Sequence, residues 1–156
     1  MQGLAMGFLR VNYREKTMER WDGGDVPFSV TNTYVIGKAL VSLLTQANLQ
    51  STANKYVYIA SYTLTQNQLI DAIKKATEDN WTIVDVESNQ VEQHSREQFV
   101  SGNLFAVYGL IQVASFGKMK LGDFSDKLSN EALGLPKEDL EADLKRVFER
   151  VKKSSS

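Results

Sequence analysis

Few side chains in this sequence are equipped for catalysis. It has one histidine, His94, and no cysteine. A general base at His94 needs an acidic orienter or a nucleophile at a recognisable spacing, and the polar stretch Ser88 to Ser101 around it supplies neither. A surface histidine is expected there. Without a thiol, disulfides, thiolate zinc sites and thiol nucleophiles are excluded together. Trp21-Asp22-Gly23-Gly24-Asp25 could in principle cradle a phosphate. Its acidic flanks repel phosphate, however, and no lysine with Ser or Thr follows at P-loop spacing, so a tight turn is expected. Serine and aspartate are present, but no nucleophile elbow places them for hydrolysis. The best candidates for a binding site lie in Leu104 to Phe116, LFAVYGLIQVASF. Phe105, Tyr108 and Phe116 can wall a site for a flat apolar ligand, with Gln112 between them and Phe28 as a candidate neighbour. A buried Gln112 needs a polar partner. Ordinary core packing is the favoured reading of the same residues, and Gln112 keeps the ligand reading open.

The elements that must position these residues are clearer than the chemistry. Residues 54–86 read as strand, loop, helix, strand. Tyr56 to Ala60 is an apolar, β-forming run suited to a strand covered on both faces. Thr65 and Gln68 form a capping box, and Leu69, Ile70, Ile73 and Ala76 follow as one helical stripe ending at Asp79-Asn80. Trp81 to Val86 is extended again. Upstream, Phe8 to Tyr13 and Thr17 to Trp21 are short strands around a loop at Arg14-Glu15-Lys16. Val26 to Val30 is extended, with Pro27 placing it at a sheet edge or strand start. Thr31 or Thr33 caps a helix whose apolar face is Ile36, Ala39, Leu40, Leu43 and Leu44. Gln46 to Asn54 is a polar surface connection.

Downstream, Ser88 is a candidate N-cap for a thinly amphipathic helix with Val91, Ser95 and Phe99 on one side. Leu104 to Phe116 is apolar nearly all round, as in a helix that is buried or lines a pocket. Gly117 to Asn130 is loop. A last helix from about Lys137 to Lys153 carries Leu140, Leu144, Val147, Phe148 and Val151 on one face, with acids early and bases late, in the order the helix dipole favours. Residues 154–156 read as a disordered tail, and 1–153 as a single domain.

The totals fit this picture. Of the 156 residues, 42% are hydrophobic and 24% charged, as in ordinary soluble globular proteins. A formal charge of -1, with no basic face interleaved with aromatics, argues against nucleic acid as a partner. No apolar run approaches the length of a membrane span, and MQGLAMGFLRVNYREK lacks the layout of a signal peptide. A cytoplasmic location is the expectation.

Three phrases in order carry a family resemblance: TMERWDGGDVPFSVTNTYVIGKALVSLL (17–44), NKYVYIASYTLTQNQLIDAIKKAT (54–77) and ALGLPKEDLEADLKRVF (132–148). Together they resemble the C-terminal half of NmrA-like proteins, in particular the fungal isoflavone-reductase-like branch of the atypical short-chain dehydrogenases. The likeness runs from about Gly3 to Val151. It implies an α/β (mixed α+β) fold, the C-terminal part of a Rossmann-type protein, with a few strands packed against about five helices. Relatives are about twice this length, and their other half holds NAD(P) on a Gly-rich turn. No G-x-G-x-x-G or G-x-x-G-x-x-G occurs in this sequence, so no residue inherits cofactor binding. The lysine used by the plant reductases also lies in that other half, so none inherits a catalytic role. Where relatives often carry an acid before the Ile-Gly that matches Ile36-Gly37, this chain has Val35.

The resemblance therefore implies a truncated homologue: a substrate-side domain inactive alone, with a small apolar or aromatic ligand as the expected partner. A working reductase completed by a separate Rossmann half and a regulatory protein-binding module are the alternatives. The strand at Tyr56–Ala60 would leave an open sheet edge for self-association or a protein partner.

Overall fold

A computed structural model of the chain describes residues 9–154. Phe8, the anticipated start of the first strand, and residues 155–156 of the anticipated tail lie outside them. The fold is mixed α/β, with short strands and, among the described residues, six α-helices where about five were expected. The strands are β1 (Val11–Asn12), β2 (Thr17–Trp21), β3 (Pro27–Val30), β4 (Tyr62–Thr65) and β5 (Thr82–Val86). The helices are α1 (Thr33–Leu43), α2 (Gln46–Thr52), α3 (Gln66–Thr77), α4 (Ser88–Val100), α5 (Val107–Phe116) and α6 (Leu140–Ser154). β1, β2 and β5 form one sheet in that order, and β3 pairs with β4 in another. The chain divides into two compact units, one made of residues 10–28 and 64–123, the other of residues 29–63, 124–154 and Leu9.

In the first unit β1 and β2 make the expected hairpin, antiparallel with Val11 opposite Met18, and β5 runs parallel to β2 with Met18 opposite Ile83. β1 is too short to cover the whole of β2. Beyond it the side chain of Gln66 takes over as a strand would: its Oε1 accepts from the Trp21 amide at 2.8 Å, and its Nε2 donates to the Glu19 carbonyl at 3.3 Å. These bonds allow Gln66 to be buried. α3 begins with the capping box read from the sequence, Thr65 with Gln68. Leu69, Ile70 and Ile73 of its stripe are buried, and the helix ends at Thr77, where Glu78 takes a left-handed conformation. The core joins these side chains to Met18, Trp21, Phe28, Val113 and Phe116.

α4 departs from its expected cap. Ser88 is its first helical residue, not its N-cap. Its amide and hydroxyl both donate to the carboxylate of Asp22, at 3.0 and 2.5 Å. The cap thus comes from a turn 66 residues earlier in the chain, which no local pattern announces. α5 then packs against α4, and the close approach depends on glycine. A Cβ on Gly109 would collide with the Ser95 side chain, and one on Gly117 would meet the Val113 carbonyl and Ser88. Small residues at matched heights allow the two helices to touch.

In the second unit the expected strand at Tyr56–Ala60 does not form. The segment makes one isolated bridge, Tyr58 to Leu128, and Tyr56 is 90% exposed. The reason lies in what pairs with its backbone. The side chain of Asn130 takes both groups of Ala60, accepting from its amide at 3.1 Å and donating to its carbonyl at 2.6 Å. Side-chain amides substitute for a neighbouring strand and leave no continuous ladder. The open edge expected at 56–60 is therefore not that of a strand. The extended segment that does pair begins six residues later than Tyr56, as β4.

α1 buries only part of the row anticipated. Ala39 is buried as expected and Leu43 is half-buried, but Val35 takes the other buried place while Ile36, Leu40 and Leu44 are exposed. The buried Val35 keeps this face apolar. Residues 46–52, anticipated as loop, form the short helix α2 with no buried side chain. α6 starts at Leu140 instead of Lys137, because Asp139 stops the preceding turn: its Oδ1 accepts from the amides of Glu141 and Ala142. Leu144 and Phe148 anchor α6, with Glu141 and Asp143 in its first turn and Lys152 and Lys153 in its last.

Candidate functional site

All five residues singled out as a ligand wall fall in the first unit. The chain leaves α4 through Gly102, at φ 98°, a backbone setting that glycine adopts without strain. The Asn103 side chain then accepts from the Phe105 amide at 3.2 Å and starts a single 3-10 turn, Leu104–Ala106, ahead of α5. The apolar run is thus not one helix, and it is not buried throughout. Its second half enters the core. Phe116 is 2% exposed, with its ring edge-on to Phe28 at 5.0 Å between centroids and to Trp21 at 6.0 Å. Phe28 is equally enclosed. Its first half stays at the surface: Phe105 is 79% exposed and Tyr108 57%. Leu104, Val107 and Ile111 are exposed beside them, as are Phe99 and Val100 at the end of α4.

Gln112 lies at the changeover between these halves. It is 8% exposed, and among the described residues nothing hydrogen-bonds to its side chain. Its amide nevertheless is not sealed off from solvent. The structure therefore splits the five residues in two. Phe28 and Phe116 are core, Phe105 and Tyr108 are mostly exposed, and Gln112 sits between with no hydrogen bond to its side chain among the described residues.

The glycine-rich turn has a different job from phosphate binding. Asp22, Gly23 and Gly24 all have positive φ, the tight turn the sequence implies. The Gly24 amide donates to the Trp21 carbonyl at 2.8 Å, and Asn67 Nδ2 ties the turn through the Gly23 carbonyl and Asp25 Oδ1, both at 2.8 Å. Asp22 meanwhile fills the N-terminus of α4. Burial raises the pKa of its carboxyl, but the two bonds from Ser88 and the charge of Lys118 outweigh this and leave it below the usual carboxylate value. An amide already donating and a helix end already holding a carboxylate do not fit a dinucleotide pyrophosphate.

A cluster of paired polar side chains around Asp143 lies in the second unit, and sequence reasoning missed it. Asp143, in the first turn of α6, accepts from Tyr62 Oη at 2.8 Å and Asn32 Nδ2 at 2.5 Å through one oxygen, and from Arg146 at 2.5 Å through the other. Asn32 also donates to Glu138 at 3.2 Å. Burial raises the Tyr62 pKa, and the neighbouring carboxylate of Asp143 adds to the rise, so the phenol keeps its proton. Every group here has its partner, which suits a buried polar lock holding α6. The sequence marks Asp143 only as one of the early acids of the last helix. The one available signal was a lone Asn between the two threonines proposed as caps.

His94 is exposed on α4, as expected. Among the described residues no three His, Asp or Glu side chains converge as a metal set, and no helix is long and apolar enough to cross a membrane.

No family model matches the chain. No solved structure matches it either. Among curated proteins it is similar to Oxidoreductase aprR of Aspergillus flavus, with 25% identity over 131 residues, which is 83% of this chain and 43% of that protein. The chain thus spans less than half the length of the relative it matches, and the relationship is of oxidoreductase type.

Proposed function

We propose that this chain is the substrate-side portion of an NAD(P)-dependent oxidoreductase of the NmrA-like, isoflavone-reductase-like type, and that it transfers no hydride alone. The observation that carries this reading is the match to a fungal oxidoreductase along most of the chain. The glycine-rich turn supports the second half of it. Its amide and its adjoining helix end are already used by Trp21 and Asp22, so a nicotinamide cofactor must be held elsewhere. The work left to this chain is to bind and orient the molecule to be reduced and to keep water from it. A cytoplasmic location belongs to the same reading and rests on the cysteine-free sequence.

Calorimetric titration of the purified chain with NADPH and with NADH tests the proposal. Neither should give heat, and micromolar binding of either overturns it. Mixing the chain with a separately expressed segment of aprR from outside the matched region should bring the two together in gel filtration.

A second reading, a protein-binding module, is favoured by one observation: α1 exposes Tyr34, Ile36, Leu40, Val41 and Leu44 along its solvent side. Light scattering that finds a single monomeric species at every concentration, and stays so when that segment of aprR is added, removes it.

A further inference from the structure

We propose that a second copy of this chain pairs antiparallel along the free edge of β5, about a two-fold axis at Val84, and so joins the two three-stranded sheets into one. The proposal concerns association through the first unit and does not rest on the cofactor reading above.

Three observations lead to it. The first is an unused row of backbone groups. β5 is the last strand of its sheet, with β2 along one side only. The Thr82 amide donates to the Lys16 carbonyl, and the Val86 carbonyl accepts from the Asp22 amide, both at 2.9 Å. Alternate residues of a strand serve alternate sides, so Thr82, Val84 and Val86 face β2 while Ile83 and Asp85 turn their amides and carbonyls outward. Among the described residues nothing hydrogen-bonds to those outward groups.

The second is a contrast between the two edges of the sheet. At the far side β1 is only two residues long, and the Gln66 side chain covers β2 beyond it. A short edge capped by a side chain offers little template to another chain. β5 has none of the usual guards. Thr82-Ile83-Val84-Asp85-Val86 contains no proline, glycine or lysine, and its register with β2 is unbroken by a bulge. Its one charge, Asp85, is already held by Arg20, whose Nε and Nη2 donate to the two carboxylate oxygens at 2.6 and 2.9 Å.

The third is that the edge fits itself. Val84 is the middle residue of β5 and is 46% exposed. Two-fold pairing about it sets Val84 against Val84 of the partner subunit in the closer kind of antiparallel pair, where the side chains touch. Ile83 then lies opposite Asp85 of the partner subunit, and each such pair exchanges both backbone bonds. The two Asp85 carboxylates fall on a diagonal, each with its own Arg20. An axis at Asp85 would set like charges directly opposite one another, which repulsion disfavours. This self-complementarity selects a second copy over a foreign strand.

Sedimentation equilibrium of the intact chain over about a hundredfold range of concentration should show monomer passing into dimer by mass action. Amide hydrogen exchange should slow at Ile83 and Asp85 as the dimer forms and stay unchanged along α1. Val84→Lys and Val84→Glu each place like charges across the axis and should weaken association about tenfold. An equimolar mixture of the two should restore it, because unlike charges then meet. The exchange measurement needs no variant, so it decides the matter even where a substitution unfolds the chain. A monomer throughout, slowed exchange along α1 instead of β5, or a Val84→Lys chain that dimerises like the wild type overturns the proposal. No cofactor enters this experiment. Dinucleotide binding would sink the proposed function and leave the dimer standing, while a strict monomer would leave the reductase reading standing.

Discussion

α3 and α5 sit in the same unit and have similar lengths, 12 and 10 residues, yet they use their sequences in opposite ways. α3 is amphipathic. Its cap is satisfied reciprocally, its large apolar residues are enclosed, and Lys74 and Lys75 stand in its last turn where the dipole favours them. Nearly every residue of α3 has a reason that concerns folding. α5 and the turn before it are apolar all round, but only Gln112, Val113 and Phe116 among α5's residues are buried. The contrast separates apolar side chains that hold the unit together from those that folding leaves over. The leftover ones are where binding should be sought.

The largest test of this contrast is Phe116→Ala. It removes the ring that meets both Trp21 and Phe28, and should cost about 3–5 kcal/mol in urea denaturation. A loss below about 1 kcal/mol would mean that the packed end of α5 is no more structural than its exposed end. Gly109→Val comes next. It drives a side chain into Ser95 and should lower stability by about 1–3 kcal/mol in thermal unfolding, with Ser95→Ala restoring part of the loss. Thr65→Ala, which undoes the α3 cap, should cost about 1 kcal/mol by the same measurement.

A smaller effect concerns acid. The Asp22 pKa is lower folded than unfolded, so its contribution is complete above about pH 4 and fades as the pH falls through the folded value. Asp22→Asn should flatten that acid limb in a denaturation series run from neutral to acidic pH. An unchanged limb would show that the cap is not what titrates. The smallest expected change is the most telling. Phe105→Ala should leave stability within about 0.5 kcal/mol of wild type, since the ring is mostly in water. A drop comparable to that of Phe116→Ala would erase the distinction between the two ends of α5.

The parts legible in the sequence were those whose causes are local. The Thr65–Gln68 box, the Leu69–Ile70–Ile73 stripe, the β1–β2 hairpin and the turn at Gly23-Gly24 each depend on residues within a few positions of one another. The parts misread depend on distant partners. Tyr56 to Ala60 has the composition of a doubly covered strand, but Asn130 occupies both backbone groups of Ala60 from 70 positions away. Ser88 looks like a cap until Asp22 supplies one. The candidate wall was half legible for a related reason. An all-apolar helix reveals that its residues avoid water, not which of them succeed, and hydrophobicity could not separate Phe116 from Phe105. The buried lock around Asp143 was invisible because its members, Asn32, Tyr62 and Arg146, come from three separate segments.

The carboxylate of Asp22 also bears on how such a chain could change. A descendant that tried to acquire nucleotide affinity at its glycine pair would first have to evict its own anion from the head of α4. That first mutation would weaken the scaffold before any new ligand rewarded it. Selection acting one substitution at a time would meet an uphill step there, and a cofactor held by another polypeptide segment is the path without that barrier.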